Sequence, residues 1–297
     1  MSFRETEVEL VGGLGNQLFG YFAGLYFQEL YGTTLTLNFS QIKTVGHLDS
    51  DLRHFKLVPH QAVESLNYNS MPRLTSRRIR DKILYHQPEL ARILNPLTLT
   101  IGDEFYLKKR LDSRARRLLL RGYFGSFEFF ENLRPSIRNL SLLSPSTSYV
   151  RLLQEARQQQ PIIIHIRRGD YVNHKNTYGL LSSRYYLNAI KIAESYVGPK
   201  MVWIFSDDLK EAMTIKEELN LSARIIENEF DLNPAESLRI QSEGSANVVA
   251  NSTFSAWGAA LNSQSRIKIC PSQYFLDGRD TPHWPPRGWI GIDPAWI

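Results

Sequence analysis

The sequence predicts an α/β protein with two Rossmann-like domains whose parallel sheets face each other across a cleft. The chain has 297 residues, a length typical of two domains of ordinary size. A β-α-β pattern opens the chain over residues 7–39, and strands and helices alternate again after residue 161 for more than 100 residues. We place the boundary at residue 150, which gives domains of residues 1–150 and 151–297.

The N-terminal domain begins with a strand, a glycine-rich turn and a helix. Residues 7–11 (EVELV) predict a strand, and the turn GGLGNQ follows it directly. Apolar side chains then recur at helical spacing over residues 16–31, and the alternating stretch 33–39 (TTLTLNF) predicts a second strand. Residues 40–135 predict helical pieces rich in arginine and leucine, which form a basic insertion in this domain.

The C-terminal domain shows the clearer alternation of strands and helices. After a linker and a polar helix within 138–160, strands are predicted at 161–166, 201–205, 223–227, 246–250 and 266–270. Helices are predicted between them at 183–196, 209–220, 234–244 and 253–262. Strict alternation of this kind is typical of a parallel sheet covered by helices, and such sheets bind ligands beyond the carboxyl ends of their strands.

The composition is typical of a globular protein in a reducing compartment. Apolar residues make up 42% of the chain, no run of about 18 apolar residues occurs, and residues 1–10 lack the apolar core of a signal peptide. The single cysteine, Cys270, excludes an internal disulfide. We therefore expect a cytoplasmic protein without a transmembrane helix.

Positive charge is concentrated in residues 73–121. The whole chain has a net charge of +5, whereas this segment alone has 13 Lys/Arg and 5 Asp/Glu residues, a local charge of +8 (13 − 5). A basic segment of this kind binds nucleic acid, lies against anionic lipid headgroups, or forms solvated helix faces. Few aromatic residues lie between the charges, which argues against a nucleic-acid partner. Loose peripheral contact with the inner face of a membrane stays open.

Four polar motifs follow predicted strands directly. HIRRGDY (165–171), FSDD (205–208) and NSTFSAWG (251–258) come after three strands of the C-terminal domain, and VGGLGNQ (11–17) comes after the first strand of the N-terminal domain. Because functional loops concentrate at the carboxyl ends of parallel strands, these four motifs predict the ligand-binding site.

The pair Arg167 and Arg168 predicts an anion-binding site. Side chains alternate along a strand, so one arginine can point toward a ligand while the other braces the loop. The guanidinium fork suits bidentate contact with phosphate or carboxylate. The alternative is an ion pair within the fold, for instance with Asp170.

The motif NSTFS adds hydroxyl groups at the start of a predicted helix. Ser252, Thr253 and Ser255, together with the free amide N–H groups of a first helical turn, favour an anion. Ordinary helix capping by Ser252 or Thr253 is the alternative, and capping and phosphate binding can occur at one helix start. A nucleoside diphosphate would suit both this motif and the arginines, and an acidic side chain such as Glu236 would accept hydrogen bonds from a purine.

The remaining two motifs are less specific. Asp207 and Asp208 precede a helix, where they cap it or, less commonly, bind Mg²⁺. In the turn GGLGN, Gly13, Gly15 and Leu18 occupy the positions of the three glycines of the dinucleotide-binding fingerprint, which is therefore incomplete. The glycines permit close approach of the backbone to a ligand, or they form a tight turn without one.

Taken together, GGLGNQLF, HIRRGDYV, FSDD and NSTFSAWGAAL resemble the motifs of the bacterial-type α-1,2-fucosyltransferases of glycosyltransferase family 11. They span residues 11–261 and occur in the family's order. The resemblance implies a GT-B architecture, in which residues 151–297 bind the donor, GDP-fucose, and residues 1–150 form the acceptor side. It further implies transfer of fucose to the 2-hydroxyl of a terminal β-galactoside in a glycan or oligosaccharide.

The same resemblance implies roles for individual residues. Guanosine-side contacts come from His165 and Glu236, and Arg167 contacts the β-phosphate. The implied donor-binding residues are His165, Arg167, Arg168, Glu236, Ser252, Thr253, Phe254, Ser255, Gly13 and Gly15. Asn16 and Gln17 lie on the side of the fucose and the acceptor.

The resemblance also implies an inverting reaction that needs no metal or other cofactor. Negative charge develops on the β-phosphate as the glycosyl bond breaks, and arginine stabilises it in place of a metal ion. Arg167 is the catalytic residue that the resemblance implies. Asp170 and His174 follow it closely and are candidate catalytic residues, as the general base, by type and proximity. The alternatives are that Asp170 only orients Arg167 or Arg168 and that His174 is a surface histidine.

Two other functions are consistent with parts of the sequence. A different sugar-nucleotide donor or an α-1,3 linkage keeps the same chemistry, and competition among GDP-fucose, GDP-mannose and UDP-galactose distinguishes these donors. A nucleic-acid-binding protein would use the basic segment and show affinity that falls steeply with salt.

Overall fold

The computed structural model describes residues 3–42, 50–64, 97–102, 111, 114–279, 281 and 283–297. The chain forms two compact units, Met1–Ser141 and Leu142–Ile297. The division therefore falls before the helix Thr147–Gln159, whereas the boundary expected at residue 150 lies inside that helix. The whole helix lies in the second unit, and its Leu152 and Ala156 are completely buried.

The first unit contains a parallel sheet and a long buried helix. Its described elements are β1 (Glu5–Glu9), α1 (Leu14–Tyr31), β2 (Thr34–Asn38), a 3-10 helix (Asp51–His54), β3 (Gln61–Val63), β4 (Thr98–Ile101), β5 (Arg117–Arg121) and α2 (Glu128–Glu131). Within the described residues the strand order is β3-β2-β1-β5-β4. All neighbours pair in parallel, as the β-α-β opening predicts.

The helix α1 is buried on nearly every side. It begins after Gly13 and ends at Gly32, whose left-handed φ of 65° closes the helix with a backbone hydrogen bond to Gln28. Phe19 and Phe22 pack against the rings of phenylalanines in and beside α2, with ring centroids 4.8 Å apart in both pairs. A helix that is apolar on all sides is expected to lie in the core, as α1 does. Because α1 is fixed in the core, the glycine-rich turn that precedes it is fixed as well.

The prediction of helical pieces in residues 40–135 is incomplete for the described part of that range, which contains the 3-10 helix and α2 but also strands. Three strands occur there, and β5, with the sequence RLLLR, shows the reason. Leu118 and Leu120 are fully buried, while Arg121 donates two hydrogen bonds of 2.6 and 2.7 Å to the Glu9 carboxylate on the neighbouring strand β1. The alternating pattern thus suits a strand whose arginines have carboxylate partners on the adjacent strand.

The second unit contains a larger parallel sheet with helices between the strands. Its strands are β6 (Ile162–Ile166), β7 (Val202–Ser206), β8 (Ala223–Ile225), β9 (Ala246–Val248), β10 (Ile267–Pro271) and β11 (Ile290–Ile292). Its helices are α3 (Thr147–Gln159), α4 (Lys175–Tyr178), α5 (Ser183–Val197), α6 (Leu209–Glu218), α7 (Ile226–Glu229), α8 (Pro234–Gln241) and α9 (Thr253–Ala260), with a 3-10 helix at Gly169–His174. The strand order among described residues is β11-β10-β9-β6-β7-β8.

The central strand β6 explains why the sequence pattern was clear in this unit. All five of its residues are buried, because the strand lies between β7 and β9 and is covered by α5. Tyr185, Tyr186 and Ala189 of α5 are fully buried in the same core. The predicted α/β fold class with two Rossmann-like units of parallel strands is confirmed.

The described part of the chain has no helix that is both long enough and apolar enough to cross a lipid bilayer. Most of the basic segment 73–121 lies outside the described residues, so its predicted contacts have no structural counterpart here.

Candidate active site

Three of the four polar motifs meet at the carboxyl ends of adjacent strands in the second unit. The strand β6 pairs with both β7 and β9, so the loops after these strands are neighbours. The hydroxyl of Tyr171, after β6, donates a 2.9 Å hydrogen bond to the carbonyl of Asn251, after β9. The backbone N–H of Arg168 donates to Asp207, after β7, at 2.8 Å. The motifs HIRRGDY, FSDD and NSTFS therefore form one site.

Arg167 is the partly exposed cation of this site. Its Nη1 lies 2.5 Å from Oδ2 of Asp207, its Nη2 pairs with Asp170, and its side chain is 27% exposed. The guanidinium also lies over the ring of Tyr171, 5.1 Å from the ring centroid. Two carboxylates and an aromatic face thus fix its orientation, and its remaining exposure allows contact with an anionic ligand.

Arg168 has the bracing role that side-chain alternation predicts for one of the two arginines. Its side chain is only 2% exposed, and its Nε forms a 3.0 Å ion pair with Glu211 on α6. Its Nη2 donates to the carbonyl of Leu181 at 2.8 Å, and its Nη1 donates to the carbonyl of Arg167 at 3.1 Å. The guanidinium groups that the resemblance assigns to the donor are therefore placed differently: that of Arg167 is open to a ligand, and that of Arg168 is enclosed in the fold.

Gly169 packs directly against the carboxylate that holds Arg167. Its φ of 28° lies on the left-handed side of the backbone map, where residues with a Cβ are disfavoured. A Cβ built on this residue would collide with Oδ2 of Asp207. The glycine of the RRGD motif is thus required by the contact between Asp207 and Arg167.

The two aspartates of FSDD have separate partners. Asp207 is paired with Arg167, whereas Oδ1 of Asp208 accepts a 3.1 Å hydrogen bond from the backbone N–H of Glu211 and caps α6. Among the described residues, no three His, Cys, Asp or Glu side chains are grouped as metal ligands. The capping role considered for this motif is therefore the one that Asp208 has.

The start of α9 presents polar groups beside the loop of Arg167. Ser252 is the N-cap residue, and its side chain makes no capping hydrogen bond. Ser255 is 1% exposed, and its Oγ accepts a 3.1 Å hydrogen bond from the backbone of Ala250, so its hydroxyl stabilises the loop. Thr253 and Phe254 are partly exposed at the first turn. The amide groups of this turn and the hydroxyl of Thr253 are therefore suited to an anion.

His165 is a buried neutral imidazole next to this cation. The residue is 5% exposed, and its ring lies 5.7 Å from that of Phe254. Burial, together with the charge of Arg167, lowers its pKa to about 3. Its Nδ1 is buried without a hydrogen-bond partner. A neutral ring with an unused nitrogen is suited to a hydrogen bond with an uncharged part of a ligand.

Glu236 is 2% exposed, and the protein itself uses both of its carboxylate oxygens. Oε1 accepts a 2.6 Å hydrogen bond from the backbone of Ser146, which precedes α3. Oε2 accepts from the backbone of Asn233 at 3.2 Å, and the Asn233 side chain in turn caps α8. This capping box fixes α3 against α8. The role of Glu236 as a guanosine contact stays a prediction from the resemblance.

Glu227 is a second acidic side chain at the strand ends, and no sequence motif indicated it. It follows β8, and its carboxyl group is hydrogen-bonded to the backbone of Ser206 at the end of β7. Burial raises the pKa of Glu227 to about 7. Its hydrogen bonds, which include one from the backbone of Ser206, lower the pKa by a smaller amount. A strand was predicted over residues 223–227. The strand ends at Ile225 and a helix begins at Ile226, so Glu227 lies in the first turn of that helix.

The two candidate bases follow Arg167 in the 3-10 helix. Asp170 is paired with Arg167 and its side chain is 64% exposed, so the structure shows the orienting role. His174 is exposed, with its ring edge-on to Tyr178 at 6.5 Å. Neither geometry excludes proton transfer, because both side chains are open to solvent.

The four residues implied in the N-terminal domain lie at the start of α1 in the first unit. Gln17 is 1% exposed, and its Nε2 donates a 2.8 Å hydrogen bond to the carbonyl of Gly12, which fixes the turn. Gly13 precedes α1 and Gly15 lies buried in its first turn. Asn16 is partly exposed, so it is the side chain of this turn that is open to a ligand.

Comparison with known proteins gives relatives over the whole chain. The model of Glycosyl transferase family 11 matches residues 6–293. The O-antigen biosynthesis glycosyltransferase WbnK of Escherichia coli is 27% identical, with 95% of this chain and 99% of the relative covered. An alpha-1,2-colitosyltransferase of Escherichia coli is 25% identical, with 96% and 97% covered.

A third relative and a solved structure agree with these matches. The galactoside 2-alpha-L-fucosyltransferase of Caenorhabditis elegans is 30% identical over 67% of this chain and 51% of its own length. The crystal structure of fucosyltransferase NodZ from Bradyrhizobium has the same fold, with a TM-score of 0.51, 15% identity, and 87% of this chain and 92% of that chain covered. The match of the family over nearly all 297 residues decides the assignment: the chain is a member of glycosyl transferase family 11.

Proposed function

We propose that this glycosyltransferase moves L-fucose from GDP-β-L-fucose to the 2-hydroxyl of a terminal β-galactoside, with inversion at the anomeric carbon. The observation that carries the proposal is Arg167, a partly exposed cation held by two carboxylates beside the start of α9. Two relatives support the linkage, because their names give transfer to a 2-position. One of them also supports fucose and galactoside as substrates.

In this proposal the diphosphate of the donor binds at the carboxyl ends of β6 and β9. The guanidinium of Arg167 contacts the β-phosphate, and the amide groups at the start of α9 with the hydroxyl of Thr253 contact the phosphates from the other side. Arg168 holds the loop through Glu211 and makes no donor contact. The neutral ring of His165 faces the nucleoside.

The reaction is a single displacement. The 2-oxygen of the acceptor attacks C1 of fucose, the bond from C1 to the β-phosphate oxygen breaks, and both bonding electrons leave with GDP. The proton of the acceptor hydroxyl passes to a base, for which Asp170 and His174 are the candidates. The charge that develops on the leaving phosphate is stabilised by Arg167, which is already in place before the bond breaks.

We further propose that the reaction is independent of metal ions. Asp207 is neutralised by Arg167 and Asp208 caps α6, so neither carboxylate is available for a cation without loss of a protein contact. The positive charge that a metal ion would supply at the β-phosphate comes from Arg167 instead.

A second donor has a specific observation in its favour. The relative named as an alpha-1,2-colitosyltransferase matches 96% of this chain and 97% of its own length, whereas the fucosyltransferase relative matches 51% of its own length. Colitose is L-fucose without the 3-hydroxyl, so both donors present the same diphosphate and the same anomeric centre. Competition between GDP-fucose and GDP-colitose in the transfer assay identifies the preferred donor.

The testing experiment is fucose transfer from GDP-fucose to lactose in the presence of EDTA. The wild-type protein, Arg167→Ala and the control Arg184→Ala are compared. Arg184 is an exposed arginine in the first turn of α5 of the same unit. We expect full activity for the wild type and the control, and a loss of about 10²-fold for Arg167→Ala. Abolition by EDTA would overturn the metal-free reaction, and full activity of Arg167→Ala would overturn the role of this arginine.

A further inference from the structure

We infer that Tyr171 is a positioning residue that couples Arg167 to the start of α9, so that these two parts of the diphosphate site act together. The inference rests on the proposed function, because it concerns the site proposed for the phosphates of the donor. Tyr171 belongs to the motif HIRRGDY, but the resemblance assigns no role to it. Its side chain and its partners connect the loop after β6 with the loop after β9.

The ring of Tyr171 supports the guanidinium of Arg167. The guanidinium carbon lies over this ring, 5.1 Å from its centroid. Tyr171 is only 7% exposed, and its backbone N–H donates a 2.7 Å hydrogen bond to the carbonyl of Arg168. A cation over an aromatic face is attracted to the ring, so the position of the ring influences the position of the guanidinium.

The hydroxyl of Tyr171 reaches the other part of the site. It donates a 2.9 Å hydrogen bond to the carbonyl of Asn251, and Asn251 directly precedes Ser252, the N-cap residue of α9. One side chain therefore contacts Arg167 with its ring and the chain entering α9 with its hydroxyl. Because both Arg167 and the first turn of α9 are proposed to contact the phosphates, this side chain fixes the separation of the two groups before the reaction.

The neighbours of Tyr171 keep its ring in one position. The ring of Tyr178 stacks on it, with the centroids 4.2 Å apart and the planes inclined by 16°. Asn251 is 1% exposed, and its Nδ2 donates to the carbonyls of Tyr178 at 2.8 Å and Tyr274 at 3.1 Å. The hydroxyl of Tyr274 interacts with that of Tyr171 and with the backbone of Thr253 in the first turn of α9. These mutual contacts make the link between the two loops rigid.

Tyr185 provides a comparison for a tyrosine that only stabilises the fold. It is fully buried on α5, and its hydroxyl donates a 2.6 Å hydrogen bond to the carbonyl of Val249. Its ring packs edge-on against Tyr186 in the core, with the centroids 5.1 Å apart. Tyr171 and Tyr185 thus bond carbonyls two residues apart after β9, but it is Tyr171 that lies beneath Arg167.

The test is a double-mutant cycle between Tyr171→Phe and Arg167→Ala. Tyr171→Phe removes the hydroxyl that bonds Asn251 and keeps the ring beneath Arg167. The kcat of fucose transfer to lactose and the Kd of GDP, by calorimetry, are measured for the wild type, the two single variants and the double variant. We expect Tyr171→Phe alone to lower kcat about 10-fold and GDP affinity about 5-fold. In the Arg167→Ala background we expect the same change to lower each by less than about 2-fold.

The control is Tyr185→Phe, with and without Arg167→Ala. This substitution also removes a buried hydrogen bond from a tyrosine hydroxyl to a backbone carbonyl. We expect it to lower Tm about as much as Tyr171→Phe and to leave kcat and GDP affinity unchanged in both backgrounds. A thermal melt of each variant shows that it is folded.

The outcomes separate this inference from the proposed function. If Tyr171→Phe lowers kcat and GDP affinity by the same factor with and without Arg167, or leaves both at the wild-type values, the inference is wrong and the proposed function stands. If the wild type binds GDP but transfers no fucose, the proposed transfer is wrong, and the cycle in GDP affinity alone decides the role of Tyr171. If the wild type does not bind GDP, both are wrong.

Discussion

The substitution Gly169→Ala tests whether the contact between Asp207 and Arg167 sets the activity. The methyl group would occupy the position of Oδ2 of Asp207, so this carboxylate must move away from Arg167. Arg167 then loses the carboxylate that is fixed by the backbone of Arg168 and keeps the exposed Asp170 and the ring of Tyr171. The variant therefore disturbs the orientation of the cation without changing any charge in the site.

Two magnitudes follow from the structure. A residue with a Cβ at the left-handed φ of Gly169 costs about 1–2 kcal/mol of the free energy of unfolding. That corresponds to a fall in Tm of roughly 2–8 °C for a domain of this size. A displacement of about 1 Å in a catalytic group costs about 10²-fold in rate, so we expect kcat to fall by one to two orders of magnitude.

The control for this prediction is Gly32→Ala. Gly32 also has a left-handed backbone, with φ 65° and ψ 38°, but a Cβ there has nothing within 4 Å. We expect a similar loss of stability with unchanged transfer activity. The assay is the initial rate of transfer at saturating donor, together with a thermal melt of each protein. Wild-type kcat in a folded Gly169→Ala variant would refute the positioning of Arg167 by Asp207.

Three further predictions follow from the same site and its core. If Asp170 is the base, Asp170→Asn lowers kcat by about 10²–10⁴-fold, whereas His174→Gln leaves kcat near the wild-type value; the reverse result identifies His174. Burial raises the pKa of Glu227 from 4.5 to about 7, so the folded protein holds this proton more tightly than the unfolded chain. The resulting stabilisation is lost as the pH rises from about 4.5 to about 7. We expect Glu227→Gln to flatten this part of the dependence of Tm on pH. Burial also raises the pKa of the fully buried Cys270 to about 12, so thiol reagents modify it only on unfolding, and rapid modification of the native protein would contradict its burial.

The parts of the fold that the sequence predicted are those in which a local pattern agrees with the tertiary environment. The strand β6 is an apolar run because it is buried on both faces, and the helices around it show a regular spacing of apolar residues. The strand β5 was missed because its arginines are typical of a surface helix until Glu9 of β1 is known to be their neighbour. Such a partner, more than 100 residues away along the chain, has no local signal.

The candidate site divides in the same way. The motif around Arg167 was recognisable because two arginines, a glycine and an aspartate lie next to each other in the sequence. Which arginine is enclosed depends on Glu211, and the state of Glu236 depends on Ser146, and both partners are remote in the sequence. Glu227 gave no local signal because its raised pKa depends on burial and on contacts with Ser206 and Ser237, which belong to other elements.

The two carboxylates that hold Arg167 differ in a way that suits a phosphate-binding cation. Asp207 is 25% exposed and anchored by the backbone of Arg168, so it keeps the guanidinium in place. Asp170 is 64% exposed, and an exposed ion pair of this kind contributes about 0–1 kcal/mol. We therefore propose that an incoming β-phosphate replaces Asp170 at little cost while Asp207 stays. In this proposal the two roles considered for Asp170 apply in succession: it orients Arg167 in the free enzyme, and its carboxylate, released by the donor, accepts the acceptor's proton.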